Sequence, residues 1–244
     1  MVRNLYSLLL LFILTIQLGF GQVTKGVVHY TVNINTFVER ITNSDANDIT
    51  KNMYIEAGKA MDNISFTLRF DEEKAFFEKD KNLAIDGSEK ANQMAAILSS
   101  QGSYYTDLTA RKQLLVRDFQ GKTFNVPSSI PDREWELTKE TKMIGKFTCY
   151  KAKMTITTDS GSFPVIAWYC PEIPVSMGPN DFVGNLPGLI LELHDTAISF
   201  SCSSLTLNPE ESLNIEWPKD LDITSQEEYR KAGEDIKRKV KPNN

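Results

Sequence analysis

Ile64-Ser65-Phe66-Thr67-Leu68-Arg69-Phe70 alternates apolar and polar residues without a break. That period of two is the signature of a strand with one face buried. Val28 to Ile34 repeats it less cleanly, with Val28, Tyr30, Val32 and Ile34 on one side. Further strands are predicted at Lys74–Glu78, Gln113–Asp118, Thr123–Val126, Glu134–Leu137, Cys149–Thr157, Phe163–Tyr169, Leu189–Leu193 and Ile198–Leu207. Asp86-Gly87, Gln120-Gly121, Asp159-Ser160-Gly161 and His194-Asp195 supply the turns between them. Closely spaced strands with short turns predict a mainly β protein, an antiparallel meander rather than βαβ units. There is no internal repeat and no low-complexity tract.

One hairpin is specific enough to give a register. If Thr157 faces Ser162 across the loop Thr158 to Gly161, then Tyr150 faces Tyr169, Ala152 faces Ala167, Met154 faces Val165 and Ile156 faces Phe163. All eight share one face, which is expected to be core. Cys149 then faces Cys170 on the other side, at bridging distance if the pair is of the non-hydrogen-bonded kind. A two-residue Ser160-Gly161 loop keeps the faces but makes the two cysteines diagonal neighbours.

Two helices are predicted. Ser88 to Ser100 is rich in helix formers, with Met94, Ile97 and Leu98 on one side. Thr224-Ser225-Gln226-Glu227-Glu228 holds two overlapping capping-box patterns, opening a helix to about Val240. Tyr229, Ala232, Ile236 and Val240 give that helix a narrow apolar stripe, and its basic end suits the negative pole of the helix dipole.

The most distinctive stretch runs from Trp168 to Leu193. Pro171, Pro174 and Pro179 end a strand and stiffen a loop. Leu186-Pro187-Gly188-Leu189 meets the demand of a type II turn, with Pro at its second and Gly at its third position.

These residues carry a family likeness. Asn185-Leu186-Pro187-Gly188-Leu189-Ile190 resembles the signature hexapeptide of the GLPGLI family of exported bacterial proteins. Trp135 to Lys142 followed by Cys149 to Ala152 resembles its W-x-L-T-x-E-T-K…C-x-K-A segment. Ala167-Trp168-Tyr169, Pro171 to Pro174 and Gly178-Pro179 resemble the segment that follows, and the likeness extends from about Lys25 to Leu207. Asn185 stands where the family has its first glycine, and Asn tolerates the left-handed conformation. Cys170 stands where the family has Thr, so a Cys149–Cys170 bridge would be peculiar to this chain.

The resemblance carries no biochemical activity with it. It implies a shape similar to LolA-like and DUF4412-like half-barrels, curved antiparallel sheets whose concave face holds acyl chains. The expectation is therefore an incomplete β-barrel with one short internal helix and a C-terminal helix. Trp168, Ile173, Val175, Met177 and Phe182, on or beside the proline-rich loop, become candidate ligand contacts at its mouth.

Composition and charge narrow the address. Met1 to Asn4 is a short positive start, Leu5 to Phe20 an apolar run, and Gly19-Phe20-Gly21 a signal-peptidase site. The run is shorter than the roughly 20 residues that span a bilayer. A cleaved signal over 1–21 is expected, followed by a β domain over 22–207 and an extension over 208–244. No cysteine lies near the cleavage point, so a lipoprotein is not expected; the address is periplasmic or secreted, with outer-membrane association open. The chain has 27 Lys+Arg against 32 Asp+Glu, a formal −5, which offers nucleic acid no basic face. After cleavage an integral membrane protein is not expected.

In an oxidising compartment, three cysteines allow one bridge and leave one thiol over. The search for chemistry is thin. There is no HExxH, CxxC, GxSxG, Walker A or GxGxxG pattern, and no cofactor or metal is expected. His194-Asp195 with Cys202 or Cys170 would be the start of a thiol hydrolase, which needs a thiol within hydrogen-bond reach of His194. Glu172, Asp181 and Glu192 around the proline loop are the acids a hard cation would use. The reading favoured is a non-enzymatic envelope protein that binds a lipid or a protein partner. A purely structural or interaction module is the alternative.

Overall fold

The computed structural model describes residues 25–81, 91, 94–95, 98–99, 102–119, 121–158, 161–195 and 198–240. The expected signal segment lies outside them. Eleven strands are present: β1 Lys25–Asn33, β2 Ser65–Asp71, β3 Lys74–Lys79, β4 Ser103–Asp107, β5 Lys112–Phe119, β6 Lys122–Ser129, β7 Glu136–Ile144, β8 Phe147–Thr158, β9 Gly161–Cys170, β10 Leu189–His194 and β11 Ser199–Leu207. Three helices can be bounded among the described residues, α1 Asn35–Thr42, α2 Asp48–Met61 and α3 Gln226–Val240.

All strands join one antiparallel sheet in the order β6-β5-β4-β3-β2-β1-β11-β10-β9-β8-β7. It is two meanders fused where β1 pairs with β11. The edge strands β6 and β7 do not pair, yet only residues 130–135 separate them in sequence. So short a link spans at most about 25 Å. The sheet must therefore curl until its edges approach, and the result is a curved sheet not closed into a barrel.

The inner face carries the core. Val28, Tyr30 and Val32 of β1 are buried with Phe66, Leu68 and Phe70 of β2, Phe77 of β3 and Phe200 of β11. Phe66 and Phe77 stack with ring centroids 5.2 Å apart, and Phe200 meets Phe66 edge-on at 5.5 Å. The Tyr30 hydroxyl crosses this cluster and donates to Ile190 O at 2.6 Å.

The structure departs from expectation in four elements. Helices α1 and α2 fill the β1–β2 connection, where none was predicted. Asn47 caps α2 by accepting from Thr50 N at 2.8 Å, and Ala57, Ala60 and Met61 are buried. Strand β4 was also missed; it is five residues long, with Tyr105 stacked on Phe76 at 4.2 Å. β7 runs well beyond Leu137, interrupted by a bulge in which Thr138, Lys139 and Glu140 lie between the pairs Leu137↔Ala152 and Thr141↔Tyr150. Within the predicted helix Ser88–Ser100, the described residues Ala91, Met94, Ala95 and Leu98 are helical.

The β8–β9 register is as predicted, from Tyr150↔Tyr169 through Thr157↔Ser162. The burial is not. Ala152, Val165, Ala167 and Tyr169 are core, Met154, Ile156 and Phe163 are half-buried, and Tyr150 is exposed. Toward β7 this face becomes exposed, at Tyr150 and at Leu137 and Met143 of the neighbouring strand.

The segment after β11 crosses to the opposite edge. Ile223 forms a parallel bridge with Asn125 of β6, Thr224 N donates to Asn125 O at 2.8 Å, and Gln226 Nε2 donates to Pro127 O at 2.9 Å. Ser225 Oγ caps α3 by accepting from Glu228 N at 3.1 Å. Tyr229 then packs on Phe124 at 5.6 Å and accepts from Arg117 at 2.8 Å. Side chains of the predicted stripe beyond Ala232 lie outside the described residues.

Candidate functional site

The proline-rich loop between β9 and β10 packs inside the curved sheet. Ile173 N donates to Cys170 O, Gly184 N to Ser176 O at 2.7 Å, and Ile190 N to Met177 O at 2.9 Å. Ile173, Val175, Met177 and Phe182 are all buried in the main core. Arg133, from the link between the two sheet edges, pairs with Asp181 and lies 4.6 Å over the Phe182 ring. The predicted ligand residues are thus not brought together around an opening. Four are core, and Trp168 faces the other way, with Lys142 Nζ 4.5 Å and Lys151 Nζ 5.8 Å from its ring.

The signature turn is used differently from its reading. Neither Asn185 nor Gly188 has a positive φ, so Leu186 to Leu189 is not the type II turn expected. Asn185 is there for its amide. Its Nδ2 donates to Pro131 O at 3.0 Å and Val183 O at 2.7 Å, and its Oδ1 accepts from Arg133 N at 3.0 Å. Gly188 is there because a Cβ would stand 2.6 Å from the carbonyl carbon of Cys170. The left-handed conformation falls instead on Asn180 and Gly184.

What the sheet leaves open is a shoulder on the inner face of β7 and β8. The exposed large apolar side chains among the described residues are Ile49, Leu137, Met143, Tyr150 and Ile223. Three of these fall on this face: Leu137 opposite Ala152, Met143 opposite Thr148, and Tyr150 between them. They are 55%, 61% and 37% exposed. Exposed apolar side chains gathered on one face mark a contact surface more often than a scattered apolar residue does. Only Tyr150 of the three was singled out from sequence, and as core. Leu137 and Met143 lie on either side of the bulge, which hides the alternation that would have placed them together.

A second opening lies on the inner face at the far end, between β4–β6, the proline loop and the start of α3. It measures about 290 Å³ and is lined in part by Tyr104, Gln113, Asp181, Gln226 and Tyr229. Burial, with the Asp181 carboxylate adding to it, pushes the Tyr104 phenol well above its ordinary value, so it remains a neutral hydroxyl.

The outer face carries a polar cluster. Glu192 Oε1 accepts from Lys142 Nζ at 2.5 Å and contacts His194 Nε2 at 2.6 Å, while His194 Nδ1 lies 2.9 Å from Ser199 Oγ. Burial pushes the Glu192 carboxyl up, but the hydrogen bonds of His194 and Lys142 outweigh it and hold the group below its usual range. The ring partners of His194 are thus Glu192 and Ser199. Cys202 pairs instead with Tyr30, a core residue of the inner face, and burial pushes its thiol up to about 11. Glu172, Asp181 and Glu192 do not converge: Glu172 accepts from Thr148 N, Asp181 pairs with Arg133 and Glu192 with Lys142.

Cys149, Cys170 and Cys202 are all free thiols, so the anticipated Cys149–Cys170 bridge is not formed here. The register does bring the pair together. Both are fully buried, and the Cys149 thiol donates to Phe147 O at 3.9 Å. No helix among the described residues is long and apolar enough to cross a membrane.

Residues 160–192, from the β8–β9 turn through the proline loop into β10, match a family described as a protein of unknown function (Porph_ging). No curated protein matches the chain. Among solved structures, PNGF-II in its C2 crystal form is similar with a TM-score of 0.53 at 12% identity, covering 85% of this chain. Its P21 form gives 0.52 at 11% identity and the same coverage. At that identity the likeness is one of fold alone. This chain spans 32% of the PNGF-II chain. The segment that carries the proline loop and the Cys170 end of β9 is therefore similar to a family of unknown function, and the fold is similar to part of PNGF-II.

Proposed function

We propose that the protein is a non-enzymatic, exported envelope protein of the GLPGLI type that binds a protein partner through the β7–β8 shoulder. The observation that carries this reading is the exposure of Leu137, Met143 and Tyr150 on one face of a sheet whose middle is filled by the proline loop and the aromatic core. Burying such side chains against a partner is favourable by roughly 25 cal/mol per Å² of apolar surface removed from water. A lipid inside the sheet has less support, because the loop and the aromatic cluster occupy that space.

The test is photocrosslinking in cells that make the protein, with a benzophenone amino acid at Tyr150, at Met143 and, as control, at Ile49. One discrete protein adduct from the first two positions and none from Ile49 is expected. Adducts of lipid mass, or the same products from all three positions, would overturn the reading.

A further inference from the structure

We infer that Cys149 and Cys170 form an oxidisable thiol pair, a modification site at which a hydroperoxide is reduced and a disulfide fastens β8 to the root of the proline-rich loop. Cys149 and Cys170 come one step beyond the Tyr150↔Tyr169 pair, the position at which a cross-strand bridge needs little movement. Both ends of the loop meet there. Leu189 pairs with Cys170, Leu189 N donates to Ile173 O at 3.0 Å, and Gly188 lies directly against the Cys170 backbone.

The two sulfurs are not equivalent. The neighbouring thiols act on each other in opposite directions, which holds the proton on Cys149 and draws the Cys170 thiol below its ordinary value. Burial opposes a thiolate at either sulfur. A thiolate is the form that attacks. Full burial of both sulfurs admits a small oxidant more readily than a bulky disulfide, which is why a hydroperoxide is named. Cys202, paired with Tyr30 and with its thiol pushed up to about 11, is not poised to compete.

The step balances. The Cys170 thiolate attacks the peroxide, the O–O bond breaks, an S–O bond forms, and the alcohol or water leaves with the Cys149 proton. The Cys149 thiolate then attacks the Cys170 sulfenic acid. The S–S bond forms and hydroxide leaves, taking up the proton that Cys170 first released. Two thiols are oxidised and one peroxide is reduced, giving one alcohol or water from the peroxide and one water from the sulfenic acid.

The test treats the reduced protein with hydrogen peroxide and reads intact mass and disulfide-linked peptides. The expected product has lost two hydrogens, links Cys149 to Cys170 and leaves Cys202 free to alkylate. Cys149→Ala should stop at a Cys170 sulfenic acid that dimedone traps, and Cys170→Ala should consume peroxide roughly tenfold or more slowly. Cys202→Ala should behave as the unaltered protein. Because small changes in a core can disturb folding, the unaltered protein is also compared before and after oxidation by hydrogen exchange, with slower exchange expected over 171–188. A bridge through Cys202, a linked dimer, or no oxidation of the unaltered protein would overturn the proposal.

Discussion

A methyl group added at Gly188 would stand 2.6 Å from the carbonyl carbon of Cys170 and 2.9 Å from Pro171 N, both backbone atoms that cannot swing aside. Gly188→Ala is therefore expected to destabilise the protein by about 2–3 kcal/mol, in the upper range for overpacking, as read from urea unfolding midpoints. Glu192 gives a test of charge. Its carboxyl is held below the usual range by His194 and Lys142 despite its burial. A depressed group stabilises the fold above its unfolded value, near 4.3, and loses that contribution as pH falls through the folded value. Glu192→Gln should thus be less stable than the unaltered protein at neutral pH and converge with it below about pH 4, measured as melting temperature against pH. Gly188 and Asn185 also show how far a motif reads. The residue types were legible in the hexapeptide, but the reasons for them were not, because a close approach and an amide bonded to Pro131 and Arg133 both depend on chain segments far away in sequence.

At the scale of elements, α2 rests on a local device that can be removed. Asn47→Ala deletes the acceptor for Thr50 N and is expected to cost about 1 kcal/mol, seen as a lowered midpoint with an unchanged sheet signal in circular dichroism. The shoulder calls for the opposite result. Leu137→Ser, Met143→Ser and Tyr150→Ser remove exposed side chains, so each should move stability by no more than about 0.5 kcal/mol, while Leu137→Ser with Met143→Ser should abolish the adduct formed by the crosslinker at Tyr150. The alternating strands β1, β2, β8 and β9 were readable because their faces are set by the strand's own period of two. Helices α1 and α2 were not, since α1 buries no residue and α2 buries only three. The extent of β7 was lost at its bulge, which breaks the period.

At the scale of the whole molecule, the two edges of the sheet are treated differently. β6 is covered by residues 222–226, whereas β7 is blunted by its bulge and by the charged Lys139, Glu140 and Lys142. Ending the chain after Leu207 should therefore expose β6 and drive self-association, detectable by light scattering on a sizing column. The same truncation should leave the Tyr30–Phe66–Phe77–Phe200 cluster folded, since these residues all precede the cut.

The chain's own pattern determined the class of fold, most strand positions and the β8–β9 register down to which residues face each other, because side-chain alternation is a local property of the backbone. Tertiary structure alone decided which faces are covered. The loop fills the interior, the C-terminal segment crosses to β6, and the β7–β8 shoulder is left open. Sequence assigns Tyr150 and Ala152 to one face with equal force. Only the packing of distant segments leaves Tyr150 at 37% exposure and Ala152 at 0%, and burial by distant segments leaves no trace in the local period.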